Sequence, residues 1–352
     1  MVALIQFFDT KVERGQKVYD YAHMGYMAGN TECRVGYGVF HGAKEGPVLT
    51  LISALHGWEP VGTEIIRRAM LDIDPADMSG TVIVIPIANP FSMEFGGTAE
   101  SSGLQVNPAD SLNLNRVFPG RKGSGWLTEQ MAYHLLEEIS RVSDVVFDYH
   151  DGTSSNNMIP LCTYLAYEPE LGYPEGLSER TEALAKATGA QIGRRREKAR
   201  PNSGTIATAM GPRDVVTMMM SVGGLGEVDE NVFEGIRCTH NLMKAMGIID
   251  GEPEMPEYQL YCSGPQHEVL YTTAGGFFFA AEGATLGAVV QKDQELGVVI
   301  DPLTSEVREV MKAPYRGVLG MWRYKMVTNP GGMLGHLANL DDYYWSRGNL
   351  PE

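Results

Sequence analysis

Over the first ~250 residues, short continuous apolar runs alternate with stretches whose apolar residues recur at helical spacing. Val48–Leu55 (VLTLISAL) precedes Gly62–Ile73 (GTEIIRRAMLDI), and the β-branched run Thr81–Pro90 stops at Asn-Pro. Leu127–Val142 predicts a helix and Ser143–Gly152 a strand ending at a histidine. Further helices are expected near Leu177–Ala187 and over Asn231–Met246, with an apolar run at Asp214–Val222 between them. Strands that are apolar throughout are buried on both faces, and helical crossovers supply the cover. The pattern predicts an α/β fold: a mostly parallel mixed sheet with helices on both faces.

A Pro- and acid-rich stretch, Ile249–Gln259, ends this pattern, and short β-prone runs punctuated by glycine follow it. Strands at that spacing predict a small all-β barrel or sandwich. The expected organisation is an α/β catalytic domain over residues 1–250 and a small β domain over 257–352, and 352 residues suffice for both.

The net charge of −16 argues against nucleic acid or an anionic membrane as partner, since both need a basic surface. A local arginine cluster can still bind a small anion. No apolar stretch approaches the ~18–20 residues of a membrane span, and the N-terminus lacks the pattern of a signal peptide. Cys33, Cys162, Cys238 and Cys262 are far apart, without Cys-x-x-Cys spacing. They read as reduced thiols of a cytoplasmic protein. The expected partner is a small molecule carrying a carboxylate, and assembly into a homo-oligomer is compatible with the composition.

The chemistry gathers at strand ends, where ligands bind in open α/β sheets. His56 and Glu59 follow the first apolar run, and His150 ends a later one. Two imidazoles and a carboxylate suit zinc and leave one position open for water or substrate. One Zn²⁺ per chain is the expected cofactor. In LNLNRVFPG, Asn115 and Arg116 supply an amide and a guanidinium fork able to hold a carboxylate in a plane. Arg194, Arg195 and Arg196 are a second place for an anion, or a solvated charged face. His134, His240, His267 and His336 have no ligand spacing and read as structural, and Glu282 reads as a surface residue.

HGWEP, the Asn89–Pro90 pair, NLNRVFPG and DYHDG, in that order, resemble the succinylglutamate desuccinylase/aspartoacylase family, which is related to the zinc carboxypeptidases. The resemblance runs from about residue 33 to 340 and includes the glycine-punctuated C-terminal part. It implies a zinc-dependent amidohydrolase that removes an acyl group from an amino acid or related amine, cutting a C–N bond other than a peptide bond. His56, Glu59 and His150 become the zinc ligands, and Asn115 and Arg116 the clamp for the substrate carboxylate. Two departures stand out. Family members carry an Arg shortly before the Asn-Leu-Asn-Arg motif, and Gly96–Arg116 holds no Arg other than Arg116. They also carry a general-base Glu just before a Gly-Gly pair, where this chain has Ser221 ahead of Gly223–Gly224. A backbone bulge would bring Glu227 into that role and make it the catalytic base, with Asp151 a weaker candidate and Asp148 an orienting group. Two alternatives remain on the residues alone: a metal enzyme of another reaction, such as an elimination or a different hydrolysis, and a metal-retaining binding protein.

Overall fold

The computed structural model describes residues 4–95 and 103–352. Ten strands form the central sheet: β1 (Gln16–Tyr26), β2 (Glu32–His41), β3 (Lys44–Ser53), β4 (Ser79–Ile85), β5 (Val145–His150), β6 (Leu161–Leu165), β7 (Ile192–Arg196), β8 (Val216–Ser221), β9 (Tyr258–Ser263) and β10 (Trp345–Gly348). Their spatial order is β10-β9-β7-β6-β8-β5-β3-β4-β2-β1. Strands β4-β3-β5-β8 run parallel, as do β6-β7-β9. The two blocks meet antiparallel at β6/β8, and both edges are antiparallel. The α/β class expected from the alternation is the observed one. The hairpin of β1 and β2 was not foreseen, because its outer strand alternates polar and apolar residues and buries few of them.

Among the described residues, four long helices cover the sheet: α1 (Val61–Ala69), α2 (Leu127–Val142), α3 (Leu177–Ala187) and α4 (Glu230–Ala245). Their bounds lie within a few residues of the expected runs, and α1 stops earlier, at Ala69. One core joins α1, α3 and α4 to Val145, Phe147 and Tyr149 of β5 and to Met218 and Met220 of β8. The other joins α2 to Val146 of β5. Side chains alternate across a strand with period two. Asp148 and His150 therefore share the face of Val146, and Thr217, Met219 and Ser221 face the same way on β8.

Residues beyond the 249–259 linker contribute β9 and β10 to this central sheet. Most of the remainder forms two antiparallel sheets, which accounts for the glycine-punctuated β runs. The strand Gly317–Arg323 also pairs with Asn156–Met158, just after β5. Among the described residues no helix is long and apolar enough to cross a membrane, and all four cysteines are buried and free.

Candidate metal centre and its cavity

The sharp turn after β3 presents His56 and Glu59. Gly57 is required there: a Cβ would lie 2.2 Å from the Ser92 backbone, while the Gly57 N–H donates to Ser92 Oγ at 3.0 Å. Glu59 then faces two imidazoles, with Oε1 3.0 Å from His56 Nδ1 and Oε2 2.5 Å from His150 Nδ1. Trp58 Nε1 donates to Glu59 Oε1 at 3.2 Å. One ligand atom from each of His56, Glu59 and His150 falls within 4.8 Å of the others, and all three residues are buried.

The outer ring nitrogens are also occupied. His56 Nε2 lies 3.1 Å from Asn113 Oδ1, and His150 Nε2 lies 3.0 Å from Asp148 Oδ2. An acceptor on Nε2 fixes the proton there and leaves the Nδ1 lone pair for an ion, the usual device by which an outer partner orients a metal-binding histidine. The inward atoms are then two lone pairs and a carboxylate, a set that suits a small divalent cation. Its electrostatics agree. Burial opposes ionisation of Glu59, but the two imidazoles outweigh it and hold the carboxyl down at about 2. Burial likewise opposes a charged His150, yet the Asp148 and Glu59 carboxylates raise it well above the usual range. The site demands positive charge.

Asn113, Asn115 and Arg116 lie in and beside a single helical turn, Leu114–Arg116. Asn115 Oδ1 accepts from the Ile206 N–H at 3.0 Å, and its Nδ2 lies 3.3 Å from His150 Nε2. The amide expected to hold substrate is thus engaged with the protein. Arg116 donates through Nη1 to the Asn115 carbonyl at 2.6 Å and makes no ion pair among the described residues. A cavity of about 320 Å³ takes in His56, Glu59, His150, Asn115 and Arg116, and reaches His336 on the C-terminal strand Met333–Asn339. A groove of about 360 Å³ on the β1–β2 face is floored by Gly36 and Gly38 and, among the described residues, holds no cluster of metal-ligand type.

The catalytic-domain pattern of the succinylglutamate desuccinylase/aspartoacylase family matches residues 45–188. This segment belongs to that family. It holds His56, Glu59, Asn115, Arg116 and His150, and it ends before Arg194 and Ser221. An N-alpha-acetyl-L-2,4-diaminobutyric acid deacetylase from Halomonas elongata is 27% identical over 301 residues, spanning 84% of this chain and 83% of that one. Two solved structures share the fold over 96% of this chain and 98% of their own. They are a succinylglutamate desuccinylase/aspartoacylase from Rhodobacter sphaeroides (TM-score 0.79, 21% identity) and the product-bound ectoine utilization protein EutE (DoeB) from Ruegeria pomeroyi (TM-score 0.79, 20% identity).

Other expected residues fall differently. Glu227 is exposed on the loop after β8 and does not line the cavity. Ser221 does line it, paired with His150 across β8 and β5. Between them Gly224 has φ +152°, and a Cβ there would lie 2.0 Å from the Asn156 carbonyl oxygen, so the turn needs glycine. Asp151 takes the N–H groups of Val61 and Thr153 at 3.0 and 2.6 Å, so it anchors the start of α1. Burial, then the nearby Glu59, push its carboxyl up to about 7. Of the stretch 96–116, which holds no Arg other than Arg116, residues 96–102 lie outside the described residues. Of the arginine run, Arg196 lines the cavity, while Arg195 pairs with Glu182 and Glu197. His336, expected to be structural, lines the cavity too. Asn113 carried a signal in the repeated Asn-x-Asn of its motif; Thr163, Thr205 and Met333 carried none.

Proposed function

We propose that the chain is a zinc-dependent deacylase cutting the amide bond of an N-acylated amino acid or related small amine in the cytoplasm. The observation that carries this reading is the convergence of His56 Nδ1, Glu59 and His150 Nδ1 in one cavity with Arg116. The deacetylase activity named for the Halomonas elongata relative supports it. His56, Glu59 and His150 would hold the ion, while Asn113 and Asp148 keep both imidazoles in the binding tautomer. Zinc supplies a polarised carbonyl and a water acidified to pKa ~7. Arg116 takes the substrate carboxylate through its planar fork. Ile206, Ala207 and Met333 line the cavity and exclude bulk water.

With Glu227 outside, the carboxylates in the cavity are Glu59 and Asp148, both bonded to His150. Asp148 Oδ1 is buried without a partner and is the lone pair left to accept a proton. Ser221, where family members carry a glutamate, favours one second reading: a metal site that runs another reaction or binds without turnover.

Metal analysis of the purified protein should find about one divalent ion per chain. A panel of N-acyl amino acids should contain a substrate whose hydrolysis stops with a chelator and returns with Zn²⁺. Bound metal without turnover on the panel moves the assignment to the second reading. Turnover indifferent to the chelator overturns the metal mechanism.

A further inference from the structure

We propose that a pocket in the C-terminal part of the chain binds a small aromatic carboxylate, its ring against Phe278, Phe279 and Trp322 and its charge on Arg323 and Lys325. The pocket is separate from the metal cavity, so the inference stands without the deacylase reading.

Strands of both C-terminal antiparallel sheets build it, Gly276–Ala280 from one and Gly317–Arg323 from the other. Its volume is about 320 Å³, and no residue that lines it lines the metal cavity. Pockets for small molecules start at ~300 Å³. The loop after Arg323 is fastened on two sides. The Phe278 N–H donates to the Met326 carbonyl at 2.7 Å, and the Tyr324 N–H donates to the Ser155 carbonyl, just after β5, at 2.9 Å. Arg323 itself pairs with Asn156. A wall held in this way is preorganised for a ligand.

The lining supplies rings. Phe278 and Trp322 are buried and meet edge to face with centroids 5.8 Å apart. At the rim, Phe279, Tyr324 and Met326 are 46%, 54% and 44% exposed. Single exposed apolar side chains are ordinary, but a group of them around a concavity marks a binding surface. A flat ring entering there continues the edge-to-face and offset packing that aromatic side chains favour.

The lining also supplies charge of one sign. Arg323 and Lys325 belong to it, and no carboxylate does. Arg323 is partly buried. It donates through Nε to the Lys325 carbonyl at 2.8 Å, through Nη1 to the Met333 carbonyl at 3.2 Å and through Nη2 to the Val327 carbonyl. These acceptors orient the guanidinium but are neutral, and N–H groups remain on the fork for another partner. Burial lowers its pKa, the direction expected of a cation without a counter-charge. Lys325 Nζ donates to Ser154 Oγ at 3.1 Å, and neither cation makes an ion pair among the described residues. In a chain with a net charge of −16, two such cations beside aromatic walls fit an anion with an apolar body. The planar fork of Arg323 matches a carboxylate, and Lys325 adds a point charge. The groove on the β1–β2 face makes the contrast. It is aromatic too, but its Arg34 pairs with Glu32 at 3.4 Å, and Asp20 and Glu94 line it.

The test is a ligand-detected NMR titration of the as-purified protein with three probes. Benzoate carries ring and charge, benzamide the ring alone, and acetate the charge alone. Wild type should bind benzoate about 10-fold more tightly than benzamide, the worth of one charged hydrogen-bonded contact. Acetate at equal concentration should not displace benzoate. Lys325→Gln and Arg323→Gln should each reduce the preference and leave benzamide binding unchanged, while Phe279→Ala should weaken both aromatic probes. Arg116→Gln, at the metal cavity, should leave the preference intact. Arg323 also ties backbone carbonyls, so the thermal midpoint of its variant is measured alongside. Lys325 is exposed, and Lys325→Gln carries the test if Arg323→Gln unfolds. Benzoate bound no more tightly than benzamide overturns the pocket, as does a preference that Lys325→Gln leaves whole. Loss of the preference in Arg116→Gln overturns it by placing the carboxylate in the metal cavity. Displacement by acetate overturns the aromatic class of the ligand.

Discussion

At the metal end of the cavity, both nitrogens of His56 and of His150 have a carboxylate or amide oxygen within 3.1 Å. At the arginine end, Thr163 Oγ1 and His336 Nδ1 are buried with no partner, and Arg196 makes no ion pair among the described residues. The first arrangement is preorganised: its groups are locked before anything binds, which is what a site needs to impose one geometry on an ion. The second holds buried polar groups without partners, the less favourable state. One end is bonded throughout and the other is not.

The contrast breaks most visibly at His56. Deleting one ligand of a locked set also strands its partners, Glu59 and Asn113. His56→Ala should weaken metal binding by more than the ~10–100-fold typical of removing an outer-shell partner, read as metal content after dialysis. Retention of full metal would end the zinc-site assignment and the contrast with it.

Thr163→Val sharpens the comparison from the other side. A buried hydroxyl without a partner costs ~1–3 kcal/mol, so removing it should stabilise the ligand-free protein by about 1 kcal/mol. A denaturant midpoint that falls instead would show that the hydroxyl is already satisfied.

The smallest effect is expected at Glu227. Its exposure predicts that Glu227→Gln keeps kcat within about twofold, against the ~10²–10⁴-fold loss expected for a general base. Ser221→Glu is the companion variant. If the chemistry is ordinary deacylation, a carboxylate restored beside His150 should preserve or raise turnover of simple N-acetyl amino acids. Loss of the native activity would mean that the site is adapted to another reaction.

The metal end was legible in the sequence because it is built from local signals. A histidine and a glutamate three residues apart end one apolar strand, and a second histidine ends another. The strand and helix runs of the first ~250 residues were legible for the same reason, since their burial pattern is continuous. The arginine end was only half legible. Three successive arginines are an evident feature, but which of them face the cavity depends on pairing of β7 with β6, a contact between distant segments. His336 carried no signal, because its place in the wall is set by folding of the C-terminal strands over the sheet. Glu227 was named from the residues alone, and its place on an exposed loop outside the cavity depends on how the chain turns after β8, where Gly224 packs against the Asn156 carbonyl.

The closing of the sheet by β9 and β10 makes the segment with the metal ligands a poor candidate for a transferable module. A chain cut at the 249–259 linker would keep every residue of the metal end. It would bare β7, now an internal strand, as an open edge, and such edges invite pairing with other chains. It would also lose Met333 and His336 from the cavity wall. Recombination that stopped at the linker would therefore transfer the His56, Glu59 and His150 cluster without part of the wall of its cavity. In this architecture, the wall of the cavity and the sealing of the sheet are inherited together.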